Sequence, residues 1–299
     1  MSTDDVADLR ERLRPAPALD AEVRAFLESQ LGRVLPPDRR RGLDWYYDWV
    51  VLGERSSEAF RVLREHDVRP ELPWLDIGSG LGTFVLLSAL NGRRAVGVEP
   101  GDEELALARE RAAALPAGDP EAFSSGVGEA LPYPDASMGG ALLHDVLEHV
   151  GEWRVVLREA RRVLAPGAPL YVKGPSYAVR FVEPHYRLPW LPMLPRPVAR
   201  RYLRALGRDA GYFDHLGYRR RGEVLTELRR LGFTLEFPRR AKLHDPASVN
   251  RPWMRRAVEL AGTPRGRPLL AVAERLADSP LQSTIDVVAL RGERGGLAG

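Results

Sequence analysis

One segment restricts the fold more than any other: Trp74-Leu75-Asp76-Ile77-Gly78-Ser79-Gly80-Leu81-Gly82-Thr83. A short apolar run with the length of a buried strand leads into glycines at alternate positions, and the apolar stretch Thr83 to Asn91 that follows has helical length. Glycine accepts φ > 0 and carries no Cβ, so the chain can turn sharply there and a ligand can approach its backbone. The start of the helix behind the turn offers unpaired N–H groups to an anionic group. A strand, a glycine turn and a helix in this order form the opening unit of an open α/β sheet, whose ligands bind at the carboxyl ends of the strands.

The pattern continues downstream. Strands are expected at Pro73 to Ile77, Arg94 to Glu99, Ala122 to Val127, Gly139 to Leu143 and Pro169 to Lys173, with helices at Glu103 to Leu115 and Glu152 to Leu164 between them. After a break the rhythm resumes with a helix from Gly222 to Leu231 and strands at Phe233 to Phe237 and Ser283 to Leu290. The expected architecture is a Rossmann-like α/β fold over 71–299, a seven-stranded mostly parallel sheet whose last strand runs antiparallel. The break at 175–221 carries Pro184, Pro189, Pro192, Pro195 and Pro197 among arginines and aromatics. It is too long for an ordinary connection and reads as a lid insertion with one helix, Pro197 to Leu206. A second insertion is expected over 242–280. Residues 1–70 read as a helical cap, with helices at Asp4 to Leu13, Ala21 to Leu31 and Leu43 to His66.

Composition narrows the function classes. The chain has no cysteine, which excludes disulfides and thiolate metal sites and fits a reducing cytoplasm. Its start is acidic and polar, so no signal peptide is expected, and no apolar run approaches the ~18 residues needed to span a bilayer. The net charge is only +3, and Lys173 and Lys242 are the only lysines. The clusters Arg39-Arg40-Arg41 and Arg219-Arg220-Arg221 read as solvated faces, with a polyanion site as the alternative; a nucleic-acid partner is not expected.

The turn also chooses its ligand. In the nicotinamide fingerprint the third glycine falls three residues after the second, whereas Gly82 falls two after Gly80. Asp76, just before the turn, would repel a pyrophosphate and suits an ammonium group. Glu99 ends the second strand, where a carboxylate can accept hydrogen bonds from both ribose hydroxyls.

At these residues the chain resembles the class I S-adenosylmethionine-dependent methyltransferases. The Asp76 to Gly82 segment is similar to their D-x-G-x-G-x-G motif, and Val96-Gly97-Val98-Glu99-Pro100 to their ribose-binding strand. Gly126-Val127-Gly128-Glu129-Ala130-Leu131-Pro132-Tyr133 resembles the stretch beside the adenine, although Val127 stands where the family has an aspartate. Strand four opens on Ser137-Met138-Gly139 where the family has S-F-D. Asp145-Val146-Leu147-Glu148-His149-Val150 and Arg162-Val163-Leu164-Ala165-Pro166-Gly167 match the segments after strand four and before strand five. The resemblance implies S-adenosyl-L-methionine held by Asp76, Gly78, Ser79, Gly80, Gly82, Glu99, Pro100, Val127, Gly128, Glu129 and His144. It also implies a small-molecule acceptor, with an oxygen the expected methyl acceptor, in bacterial secondary or cell-envelope metabolism. An RNA or protein substrate, or a non-catalytic scaffold, is the alternative.

An oxygen nucleophile needs a base or a metal ion. His149 is the candidate base, with His185 in the lid as a second catalytic candidate. Alternatively Asp145, Glu148 and His149 hold a divalent cation such as Mg²⁺, a spacing similar to the E-x-x-E-H site of the ubiquinone-pathway O-methyltransferases; or the segment merely caps the next helix. Tyr47 from the cap and Tyr177, Tyr186 and Trp190 from the lid are expected to meet the substrate. The lid otherwise packs on its own domain or forms a homodimer contact.

Overall fold

A computed structural model describes residues 3–36, 43–238, 243, 252–263, 266–277, 279 and 282–292. The cap holds α1 (Thr3–Leu13), α2 (Pro17–Val34), α3 (Leu43–Val50) and α4 (Glu54–Glu65). The helix expected from Leu43 to His66 is therefore two helices: Gly53, at φ +82°, takes a left-handed conformation that breaks it.

The sheet is assembled from β1 (Trp74–Ile77), β2 (Ala95–Glu99), β3 (Phe123–Ser125), β4 (Gly140–His144), β5 (Pro169–Pro175), β8 (Phe233–Glu236) and β9 (Thr284–Arg291). The lid contributes a separate hairpin, β6 (Val182–Glu183) with β7 (Leu188–Pro189). Strand order in the large sheet is β3-β2-β1-β4-β5-β9-β8. Pairings are parallel from β3 through β5, while β9 lies antiparallel between β5 and β8. Helices α5 (Thr83–Leu90), α6 (Asp102–Ala113), α7 (Trp153–Val163) and α10 (Arg221–Arg230) connect the strands.

Both sheet faces are covered. On one side Leu75, Ile77, Leu143 and Val172 pack with Trp153, Val156, Leu157, Ala160 and Val163 of α7, whose spacing lays one apolar stripe on the strands. On the other, Trp74, Leu142 and Tyr171 pack with α1, α4, α5 and α6.

The lid is richer than expected, with α8 (Arg196–Ala205) and α9 (Ala210–Asp214) beside the hairpin. Its core joins Tyr186, Leu191, Leu203, Phe213 and Leu216 to Val34 and Leu35 at the end of α2. Two helices, α11 (Pro252–Ala261) and α12 (Arg267–Ala277), lie in the second insertion. The Arg39-Arg40-Arg41 cluster and Lys242 lie outside the described residues. The other arginine cluster is not a solvated face throughout: Arg221 is buried and donates to the Ser279 carbonyl, and Arg219 binds the carbonyls of Leu147, Val150 and Gly151. Among the described residues, no helix is long and apolar enough to cross a membrane.

Candidate active site

The parallel register brings the ends of β1, β2 and β4 level, with Ile77 opposite both Val98 and Leu143. Asp76, the glycine turn, Glu99 and His144 therefore share one edge of the sheet. All three glycines of the turn have positive φ, at +73°, +49° and +74° for Gly78, Gly80 and Gly82. They differ in what surrounds them. A Cβ on Gly78 would come within 2.8 Å of Val146 and one on Gly82 within 2.6 Å of Phe123, so these two allow close packing. At Gly80 a Cβ would meet nothing within 4 Å, so this residue alone opens onto free space.

Two carboxylates border that space. Asp76 is buried, and desolvation pushes its carboxyl up to about 7 while the Arg55 charge pulls the other way and Glu99 adds a smaller upward push. Glu99 is buried too, and desolvation raises it against two backbone hydrogen bonds. Gly80 N–H donates to its Oε2 at 2.8 Å and Gly101 N–H to its Oε1 at 3.0 Å. Each oxygen keeps a second lone pair for a ligand hydroxyl.

The other expected cofactor residues divide. Ser79 turns its hydroxyl against Gly97 of β2, where it is buried without a hydrogen-bond partner in the protein. Gly128 packs close to Ile77 and Val156, while Val127 and Pro100 are exposed and Glu129 is half-buried. His144 is buried, and desolvation holds its imidazole well below the usual range, with Arg55 and Lys173 adding to the effect.

Arg55 of α4 reaches this edge from the cap. It donates to the His144 carbonyl and lies 3.6 Å from Asp145 Oδ2. Asp145 itself has φ +55°, a conformation that costs a non-glycine residue energy and recurs at functional sites. A second cap-to-turn tie is Arg111 of α6. Buried, and pulled down to about 10 by desolvation, it donates to Leu81 O, Thr83 Oγ1 and Val51 O.

Past β4, the two candidate catalytic histidines meet. The rings of His149 and His185 lie 5.2 Å apart, with Tyr212 6.3 Å and 5.8 Å from them respectively. His149 is exposed. Desolvation by the surrounding protein lowers its pKa, and the charges of His185 and Arg55 add to the effect. Glu148 beneath it is buried, its carboxyl raised well above the usual range by desolvation and by Asp145. His185 Nδ1 sits 2.8 Å from Oε1 of Glu183, a wholly buried carboxylate that also accepts from Tyr186 N–H at 2.7 Å and Tyr177 O–H at 3.2 Å.

The metal-ligand set and the expected roles of four aromatic residues change here. The potential metal ligands that converge are Glu148, His149 and His185, not Asp145, which is turned toward Arg55. Tyr47 is wholly buried with its hydroxyl on Asp20 and the Arg24 guanidinium 4.0 Å from its ring centre, so it stiffens the cap instead of meeting a substrate. Its neighbour Tyr46 feels the charges of Arg55 and Asp145, and Trp49 packs edge-on to His144 at 6.4 Å; these are the cap aromatics on the site side. Tyr177 and Tyr186 are spent on lid structure, stacking on Tyr218 and donating to the Asp209 carbonyl, and Trp190 is exposed against Phe181. Arg55, Glu183 and Tyr46 were not among the expected site residues, and only the aromatic cluster around Tyr46 gave a sequence signal.

A shallow depression of about 630 Å³ lined by Ala25, Glu28, Gly32, Arg33 and Asp209 contains none of the candidate cofactor, catalytic or metal residues, and the chemistry does not gather there.

Strand order, the open glycine turn and the two buried carboxylates at its rim define a Rossmann-like α/β sheet with a ligand-accessible edge. Residues 75–172, about a third of the chain, match the protein family described as "Methyltransferase domain". It is 36% identical over 133 residues to norajmaline N-methyltransferase of Rauvolfia serpentina, a match covering 43% of this chain and 44% of that protein. It is 31% identical over 159 residues to demethylmenaquinone methyltransferase of Tropheryma whipplei, covering 48% and 62%. The matches thus span about half the length of these relatives. Among solved structures, geranyl diphosphate C-methyltransferase from Streptomyces coelicolor A3(2) is 17% identical with a TM-score of 0.47, covering 82% of this chain and 81% of that one.

Proposed function

We propose that this chain transfers a methyl group from S-adenosyl-L-methionine to an oxygen of a small-molecule acceptor. The observation that carries the reading is the junction of Gly80, open to free space, with the buried carboxylates of Asp76 and Glu99. The residues fit the donor. Asp76, ionised, would hold its ammonium group, Glu99 its ribose hydroxyls, and the strand-end loop around Gly128 and Glu129 its base. When bound, the donor supplies a methyl group on an already activated sulfonium. The protein's task is then to place the acceptor in line and exclude water. The imidazoles of His149 and His185 converge beyond the turn and receive the acceptor's hydroxyl, and Tyr46, Trp49 and Tyr212 wall the approach.

Several points favour a small acceptor. Tyr212 and His185 of the lid sit within 5.2–6.3 Å of the His149 ring, which leaves a narrow approach. The inward arginines Arg219 and Arg221 leave no basic strip for a nucleic acid at that cluster. The two named relatives carry small-molecule acceptors in their names. Secondary or cell-envelope metabolism in a bacterium remains the proposed setting. Calorimetric titration with S-adenosylhomocysteine, followed by transfer of labelled methyl to a panel of phenols, hydroxyquinones and sugars, tests the reading. Micromolar binding and label at oxygen are expected. Failure of both S-adenosylmethionine and S-adenosylhomocysteine to bind would overturn it.

A further inference from the structure

We propose that the lid hairpin docks on an anionic lipid bilayer, with Phe181, Val182, Trp190 and Met193 seated in the interface and the arginines of the lid against the headgroups.

Three observations carry it. First, the hairpin and its flanks hold a dense group of exposed apolar side chains: Val179, Phe181, Val182, Trp190 and Met193 are each between 42% and 65% exposed. Four of them are joined directly. Phe181 and Trp190 meet edge to face with ring centres 4.4 Å apart, and Trp190 N–H donates to the Phe181 carbonyl. Val182 pairs with Pro189 across the hairpin, and Met193 N–H donates to the Trp190 carbonyl. Single exposed apolar residues are ordinary, whereas several on one short ribbon mark a contact surface. Second, the patch is held in shape at a cost. Trp190 stands at φ +65°, which a bulky side chain rarely accepts, and Arg187 on the same hairpin at φ +52°.

Third, the charge around the patch has one sign. Between Val179 and Arg208 the only acidic residue is Glu183, which is wholly buried, while arginines recur through the stretch. Arg187, Arg201 and Arg204 are exposed, and the latter two form no ion pair among the described residues. The acids that follow, Asp209 and Asp214, already face Arg33 at 3.5 Å and Arg200 at 2.7 Å.

This combination selects the partner. Aromatic and aliphatic tips backed by arginine suit the boundary between headgroups and acyl chains, and each cation near anionic lipid adds attraction. A second copy joined through the same patch about a two-fold axis would set arginine against arginine. A nucleic acid offers stacking to the aromatic rings but nothing to Val179, Val182 and Met193. The hairpin turn also carries His185, whose ring lies 5.2 Å from that of His149. Docking would bring this end of the cleft to the level of the headgroups, whichever atom the chain methylates.

The full chain is sedimented with sucrose-loaded vesicles of phosphatidylcholine, alone or mixed with phosphatidylglycerol. At ~0.1 M salt it should pellet with the mixed vesicles and bind phosphatidylcholine alone at least ~10-fold more weakly. Phe181→Ser with Trp190→Asn should weaken binding by roughly 100-fold through lost apolar surface, asparagine being chosen because it tolerates the positive φ. Arg201→Glu with Arg204→Glu should weaken it by roughly 10-fold or more. Lipid carrying bromine on its acyl chains should quench tryptophan fluorescence in the parent more than in Trp190→Asn. S-adenosylhomocysteine titration and thermal unfolding of each variant should match the parent, because the substituted side chains are exposed; the titration also tests the donor site separately. Failure to pellet with the mixed vesicles, or equal pelleting of the parent and both folded variants, would overturn the proposal. So would light scattering that shows a parent dimer split by Phe181→Ser with Trp190→Asn, with vesicles bound by neither protein.

Discussion

Replacing Asp76 by asparagine keeps the side chain's shape and removes its ionisation, and stability and binding should move in opposite directions. The Asp76 carboxyl titrates at an ordinary 3.8 in the unfolded chain and is pushed up to about 7 in the fold, chiefly by desolvation. At ~1.36 kcal/mol per pKa unit this gap amounts to roughly 4 kcal/mol, an upper bound before relaxation and water entry. The folded value lies above the unfolded one, so folding favours the protonated acid. That stability is fully present below pH ~4 and is lost as pH rises to about 7, beyond which the parent bears the whole cost of a buried anion. Asparagine bears none. Urea unfolding of both proteins without ligand, from pH 4 to pH 8.5, should show the stability of Asp76→Asn relative to the parent growing by roughly 2–4 kcal/mol up to pH 7 and then levelling off. Calorimetry at pH 8 should show S-adenosylmethionine binding weakened by ~100-fold, because an amide cannot pair with the donor's ammonium. A stability difference independent of pH, or one shrinking as pH rises, would refute the account of Asp76 as a desolvated acid kept for a cationic ligand.

Two further perturbations separate structure from binding around the same turn. Gly80→Ala meets no neighbour within 4 Å and should cost only ~1–2 kcal/mol from its φ of +49°, yet abolish measurable S-adenosylhomocysteine binding; Gly82→Ala drives a Cβ to 2.6 Å from Phe123 and should cost ~3 kcal/mol or more in thermal unfolding. Arg111→Ala strands the Leu81 and Val51 carbonyls and the Thr83 hydroxyl, so urea unfolding should report a loss of about 3–5 kcal/mol, with Arg111→Lys intermediate.

The donor side was legible because its information is local. Glycine spacing, a carboxylate at each strand end and a parallel β/α rhythm occupy a short stretch, and the observed order β3-β2-β1-β4-β5-β9-β8 follows that rhythm. The acceptor side was less so, because its residues converge from four separate segments. The spacing of Asp145, Glu148 and His149 suggested one cluster, but only the fold shows Arg55 taking Asp145 and the lid supplying His185. Tyr46 and Tyr47 are adjacent in sequence and ~100° apart around a helix, so only the fold shows that α2 covers Tyr47 and leaves Tyr46 toward Arg55 and Asp145. The side-chain direction of Ser79 was hidden for a similar reason: Gly97 gives its hydroxyl room to turn inward.

One helix has a share in both covers of the cleft. Val23, Phe26 and Leu27 of α2 pack with Leu81 in the glycine turn, and Val34 at its far end is built into the lid core. Eighteen residues of α-helix form a strut of ~27 Å, stiff over that span. The glycine turn and the lid core are thus braced by the same helix. A substitution in the middle of α2 should therefore be felt at the glycine turn and in the lid alike.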